Sequence, residues 1–128
     1  MQTYIEITPE QIEFLKQYPR PWSYLGKRNP LFALPPFLSP DQYSRFSIRV
    51  ASACLPTLQH SNTPTLNFPL FLTSANLSGS PESKTLAEAR ASFPDIDEID
   101  GGICDEPPSD IFYFDESGEM VYMRQYTN

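Results

Sequence analysis

The sequence predicts a mixed α/β domain built from short helices and short strands. Three observations lead there. The chain has 128 residues, room for one domain. It is 40% apolar and 13% aromatic, enough to bury a core, which argues against global disorder. It carries 14 prolines against 5 glycines. Proline is barred from helix interiors and central strands, so those positions divide the chain into short elements. Long bundles, coiled coils and collagen-like repeats are thereby excluded.

Thr8-Pro9-Glu10-Gln11 is a helix start. The Thr8 hydroxyl can accept from the free amides, Pro9 fits the first turn, and Gln11 completes a capping box. Ile12, Phe14 and Leu15 continue a short helix that stops before Pro19. Ser39-Pro40-Asp41-Gln42 repeats the start signal, but the alternating run Arg45–Val50 follows closely and reads as a strand, leaving that helix one turn. Residues 51–60 are a further helical candidate interrupted by Pro56, and residues 61–67 read as a loop. Phe68 to Thr73 is an apolar run suited to a buried strand, with Pro69 near its start and the polar stretch Ser74–Pro81 directly after it. Thr85 and Glu88 form a second capping box, opening a helix to about Ser92 with Leu86, Ala89 and Phe93 on one side. Ile111–Phe114 and Met120–Arg124 flank Asp115–Glu119 as a hairpin.

The net charge of −7 is unevenly spread. Residues 1–90 hold eight bases and six acids, a balance of +2; residues 91–128 hold ten acids and Arg124 as their one base, a balance of −9. Such acidity argues against nucleic-acid binding through a broad basic field, although the first part retains enough cations for a local basic face. Cys54 and Cys104 stand far apart without a CxxC, which points to two reduced, partly buried thiols rather than a zinc ribbon or disulfide framework. The start MQTYIEITPE lacks the basic and apolar regions of a signal peptide, and no apolar run reaches membrane-spanning length. The expectation is a cytoplasmic chain without membrane contact.

Chemistry is best sought where an apolar strand runs into Thr73-Ser74-Ala75-Asn76-Leu77-Ser78-Gly79. Ligands collect at strand ends in α/β sheets, and Ser74, Asn76 and Ser78 supply hydroxyl and amide groups beside a permissive Gly79. By composition alone the same string reads first as an ordinary Ser/Asn/Gly turn. Other features have plainer readings. The acidic tract from Asp95 to Glu106 lacks the spacing of a calcium loop and reads as a solvated face. His60 has no recognisable partner, no basic residue near Cys104 would activate its thiol, and the aromatic residues follow the expected core.

The string TSANLSG after an apolar strand resembles the signature of the YrdC-like family, the threonylcarbamoyl-adenylate synthases. The resemblance continues in order along most of the chain. Pro19-Arg20-Pro21-Trp22-Ser23 is similar to the family's Pro-Gly-Pro-x-Thr motif, and Phe46-Ser47-Ile48-Arg49-Val50 to its strand ending in Val-Arg-Val/Ile. Thr85–Ala89 is similar to the helix after the Ser-Ala-Asn loop. Asp100-Gly101-Gly102, Pro108-Ser109 and Tyr122-Met123-Arg124 are similar to the family's Asp-Gly-Gly, its Ser before a strand and its closing Leu-Arg.

The resemblance implies a twisted mixed sheet with flanking short helices, and synthesis of threonylcarbamoyl-AMP from L-threonine, bicarbonate and ATP with Mg²⁺, for tRNA modification. It implies that Ser74 and Asn76 contact nucleotide and substrate, that Arg49 pairs with the threonine carboxylate, that Ser109 bonds the substrate, and that Arg124 meets the nucleotide phosphates. No catalytic residue is assigned. The family's earlier segment, with its Lys-x-Arg pair on the ATP phosphates, has no counterpart before Met1-Gln2-Thr3-Tyr4; Lys27-Arg28 is misplaced for that role. Arg20 stands for the motif glycine, Ser23 for its threonine, and Arg45 where the family often has a small polar residue. The expectation is therefore a single YrdC-like domain over 1–128, shortened at its N-terminus and incomplete for synthesis without positioned phosphate cations. A complementary N-terminal chain, or a homodimer covering exposed sheet edges, is the expected partner. The alternative is a non-catalytic nucleotide- or RNA-binding or interaction homologue.

Overall fold

A seven-residue strand, β2 (Trp22–Arg28), organises a twisted five-stranded mixed sheet. The structure is a computed structural model that describes residues 1–32, 43–49, 73–98, 100–105 and 107–126. Contacts divide the chain into two units, Met1–Leu66 with Pro107–Asn128, and Asn67–Glu106. The expectations at residues 39–42, 51–60, 61–67 and 68–72, together with Cys54 and His60, lie outside the described residues.

The first unit holds the sheet. Strand β1 (Ile5–Glu6) precedes helix α1 (Pro9–Gln17), which leads into β2; β3 (Arg45–Ile48), β4 (Asp110–Phe114) and β5 (Met120–Arg124) complete it. On one edge β2 pairs with antiparallel β3, from Tyr24 opposite Ile48 to Lys27 opposite Arg45. On the other edge its first half pairs in parallel with β4, and its last two residues pair antiparallel with β1. The hairpin β4–β5 forms as the sequence predicts, with a bulge between Ile111 and Phe112. Its turn closes at Gly118, whose φ of 85° belongs to the left-handed region that favours glycine.

Helix α1 begins at the predicted capping box: Gln11 N–H donates to the Thr8 hydroxyl, and the Gln11 side chain accepts from Thr8 N–H. Leu15 is its buried residue and packs with Ile5, Tyr24 and Phe112. Alternation along the strands puts Tyr24, Phe112, Phe114 and Tyr122 into this core, where their rings meet edge-on or tilted with Phe14 and Tyr18 of the helix side. Gly26 is demanded by packing: a Cβ there would lie 2.6 Å from Cδ1 and 2.7 Å from Cβ of buried Ile5.

The second unit contains α2 (Leu86–Ser92), started by the predicted Thr85–Glu88 capping box. Leu86, Ala89 and Phe93 are half-buried, the side expected from their spacing. Among the described residues no helix is long and apolar enough to cross a membrane. The mixed α/β class is thus observed, with β1 and β2 added to the strands the hydropathy pattern shows.

Candidate functional site

Strands β2 and β4 run parallel, so Pro21 and Ser109 enter the sheet side by side; Asp110 N–H donates to the Pro21 carbonyl at 2.9 Å. This entry point gathers residues from four segments. Ser23 and Ser109 are buried, with their hydroxyl oxygens 3.2 Å apart. Antiparallel β5 ends at the same place. The Arg124 guanidinium donates to the Ser109 carbonyl at 2.7 and 3.1 Å, and one of its amino groups lies 3.4 Å from the Ser109 hydroxyl. Arg49 follows β3 one residue past the Tyr24–Ile48 pair, which sets it at the same end of the sheet; its side chain is exposed and forms no ion pair among the described residues.

Below these groups lies a carboxylate that motif reading misses. Asp110 is 1% exposed, yet it accepts from the Tyr18 hydroxyl at 2.6 Å and from Tyr126 N–H at 2.8 Å, and it pairs with Arg20 at 2.6 Å. Arg20 also donates to the Tyr126 carbonyl at 2.5 Å. Since Tyr18 gives its proton to Asp110, Tyr122 donates in the 3.0 Å contact between the two phenols. Burial opposes the charge on Asp110, but the Tyr18 hydroxyl, the Tyr126 amide and the Arg20 and Arg124 guanidinium groups outweigh it and hold the carboxyl below its ordinary range. The same environment, burial first and the Asp110 bond second, pushes the Tyr18 phenol well above its ordinary value. Arg20 occupies the motif glycine's position without strain, since no described non-glycine residue has positive φ.

The structure therefore brings Arg49, Ser109 and Arg124 to one end of the sheet, with Ser109 and Arg124 in direct contact. Ser74 and Asn76 belong to the second unit. Ser74 is exposed. The Asn76 amide nitrogen donates to the Leu77 and Ser80 carbonyls at 3.2 and 2.8 Å, holding the loop closed around Gly79, whose φ is 82°. Its side-chain oxygen is buried and has no partner among the described residues. The Ser83 hydroxyl ties down the Ala75 carbonyl from the other side.

A second concave region lies at the opposite end of the sheet. It is a cleft of about 210 Å³ lined by Glu6, Thr8, Tyr24, Lys27, Arg45 and Phe114 among others. The acidic tract makes no metal-binding group among the described residues, and Arg90 bonds Glu98 within it. Cys104 is a free thiol but exposed, not partly buried as its sequence reading expects, because it lies in a segment outside the regular elements. No known family, no curated protein and no solved structure matches the chain.

Proposed function

We propose that the chain is a threonylcarbamoyl-adenylate synthase-like protein of YrdC-like type, binding L-threonine and an adenine nucleotide in the service of tRNA modification. One observation carries the reading: residues far apart in sequence that bear the motif resemblance, Pro19–Ser23, Arg49, Ser109 and Arg124, gather at one end of the sheet. Folding alone does not require an exposed Arg49 at that end of the sheet, where it has no ion pair among the described residues. An exposed guanidinium suits a carboxylate such as that of threonine, through two parallel charge-assisted bonds. In the second unit, the exposed Ser74 offers a hydroxyl to a nucleotide, while the buried Asn76 side-chain oxygen would accept from one only once uncovered. Bicarbonate and ATP would be co-substrates. Mg²⁺ would arrive on the ATP phosphates, which hold it with few protein ligands.

A second reading, binding without synthesis, is favoured by the state of Ser109 and Arg124. Both already bond each other, and the carbonyl that Arg124 grips is structural. Phosphoryl chemistry needs cations aimed at the phosphates, and Arg124 is already committed to the Ser109 carbonyl. A partner chain supplying a Lys-x-Arg pair would complete the site.

Calorimetry with ATP, AMP and L-threonine tests the shared part of both readings. Saturable binding that weakens about tenfold or more in Arg49→Ala, and in Asn76→Ala for the nucleotide, is the expected result. Binding unchanged in both variants removes the assignment. Pyrophosphate release, assayed alone and with a chain carrying a Lys-x-Arg pair, then separates synthesis from binding.

A further inference from the structure

The cleft at the far end of the sheet is lined by side chains that the proposed function leaves unused. It forms where β2 and β4 finish their parallel course, the end of an α/β sheet at which ligands collect. Its floor is aromatic and apolar, from Tyr24, Phe114 and Ile7. Its cations are Lys27 and Arg45, and these two are register partners on adjacent strands. Like charges directly opposite each other on a sheet are unfavourable. Glu6 faces Lys27 from the other edge of β2, so Lys27 has one charge of each sign beside it, whereas Arg45 faces Lys27 alone among its register partners.

Neither cation is neutralised within the cleft. Arg45 donates to the Leu25 carbonyl at 3.2 Å and rests over the Tyr113 ring at 4.5 Å, but no carboxylate lies within ion-pair distance among the described residues. Lys27 reaches only Glu116, at 3.8 Å and outside the lining. Of the two lining carboxylates, Asp115 is occupied by Ser117 and Glu119, whose backbone amides and the Ser117 hydroxyl all bond one oxygen. Glu6 is exposed and lies opposite Lys27 on β1, with no ion pair to either cation among the described residues. The first turn of α1 contributes little, because the Thr8–Gln11 capping box already takes its amides.

We propose that this cleft binds a small organic monocarboxylate, its carboxylate held between Lys27 and Arg45 and its apolar body on Tyr24 and Phe114. An oxyanion there relieves the Lys27–Arg45 opposition and gives Arg45 the two-pronged partner it lacks. Glu6 and Asp115, which also line the cleft, limit the charge a ligand can bring, which favours a monoanion over a phosphate dianion. A volume of about 210 Å³ lies below the range of drug-sized pockets, about 300–1,000 Å³, so the ligand is small.

The test is an amide NMR titration of the full chain with benzoate and, separately, with inorganic phosphate. Benzoate should give saturable shifts at Thr8, Lys27, Arg45 and Asp115, with phosphate at least about tenfold weaker. Arg45→Gln, which keeps a donor for Leu25 and removes the charge, should weaken benzoate about tenfold while its spectrum stays dispersed. Absence of saturable shifts at these residues overturns the site. Equal affinity in Arg45→Gln, or phosphate binding as tightly as benzoate, overturns the assigned chemistry. None of these residues takes part in the threonine and nucleotide reading, so the two proposals stand or fall separately.

Discussion

The two ends of the sheet use similar residues in opposite ways. At the entry of β2 and β4, Asp110 is buried and every cation near it is engaged: Arg20 with Asp110 and Tyr126, Arg124 with Ser109. At the far end, Lys27 and Arg45 face each other across strands; Lys27 has Glu6 on its other side and Glu116 at 3.8 Å, while Arg45 has no ion pair among the described residues. The first arrangement converts polar groups into tertiary structure, since a buried carboxylate with three donors can hold three segments at once. The second leaves electrostatic capacity unspent and open to a ligand. Arg49, beside the closed end, belongs with the second type.

The comparison breaks most visibly at Asp110. Replacing it with Ala leaves the Tyr18 hydroxyl, the Tyr126 amide and the Arg20 guanidinium without their acceptor. The expected loss is about 3 kcal/mol in urea unfolding, a large share of a small domain's stability. Asp110→Asn should cost less, since an amide oxygen can still accept from Tyr18. A loss under about 1 kcal/mol for the Ala variant would mean the closed end is ornamental.

Gly26 sits between the two ends and decides whether they share one rigid strand. Glycine in a strand interior is ordinarily a weakness, and Ala there ordinarily gains about 0.5–1 kcal/mol. Here the added Cβ meets three atoms of Ile5 at 2.6–2.7 Å, one of them the Ile5 Cβ, which cannot rotate away. Overpacking of this kind costs about 1–3 kcal/mol, so Gly26→Ala is expected to be net destabilising by thermal melting. Ile5→Ala added to it should recover part of the loss.

Acid should act on the closed end first. The folded carboxyl of Asp110 lies below its ordinary 3.8, so its contribution is complete above that value and fades as pH falls through the lowered one. The melting temperature should therefore drop steeply below about pH 4. Asp110→Asn should flatten that slope without abolishing it, because Glu13, held down chiefly by its Gln17 and Lys16 bonds, and Asp115, held down chiefly by Ser117, titrate in the same direction. At the alkaline side Tyr18 and Tyr24, both raised chiefly by burial, should ionise above the ordinary phenol range by ultraviolet absorbance.

What was legible beforehand divides along the same lines. Both capping boxes and the β4–β5 hairpin follow from neighbouring residues, because caps and turns are local hydrogen-bonding problems. Strand β2 escaped hydropathy reading because Gly26, Lys27 and Arg28 break its alternation and two prolines precede it. Tertiary pairing on both edges overrides that weak local signal. The motif residues Ser109 and Arg124 were visible as letters, whereas Asp110 was not. Its partners Tyr18 and Tyr126 lie 92 and 16 residues away, and no spacing rule spans such distances. The only local hint is an acid placed at the head of an aromatic strand.

The smallest expected effect on stability is at the open end, and its smallness is what distinguishes the two ends. Arg45→Gln removes the guanidinium over Tyr113, worth about 0.5–1 kcal/mol at a partly exposed site. It also removes the opposition to Lys27, which for a directly facing pair is worth about 0.2–1 kcal/mol in the other direction. The two changes nearly cancel, so unfolding free energy should move by under about 0.5 kcal/mol. Charge engaged inside a closed network cannot be removed so cheaply, as the Asp110 variant tests directly. If Arg45→Gln destabilised the chain by as much as Asp110→Ala, Arg45 would be a structural residue, and the cleft would lose its claim to spare charge.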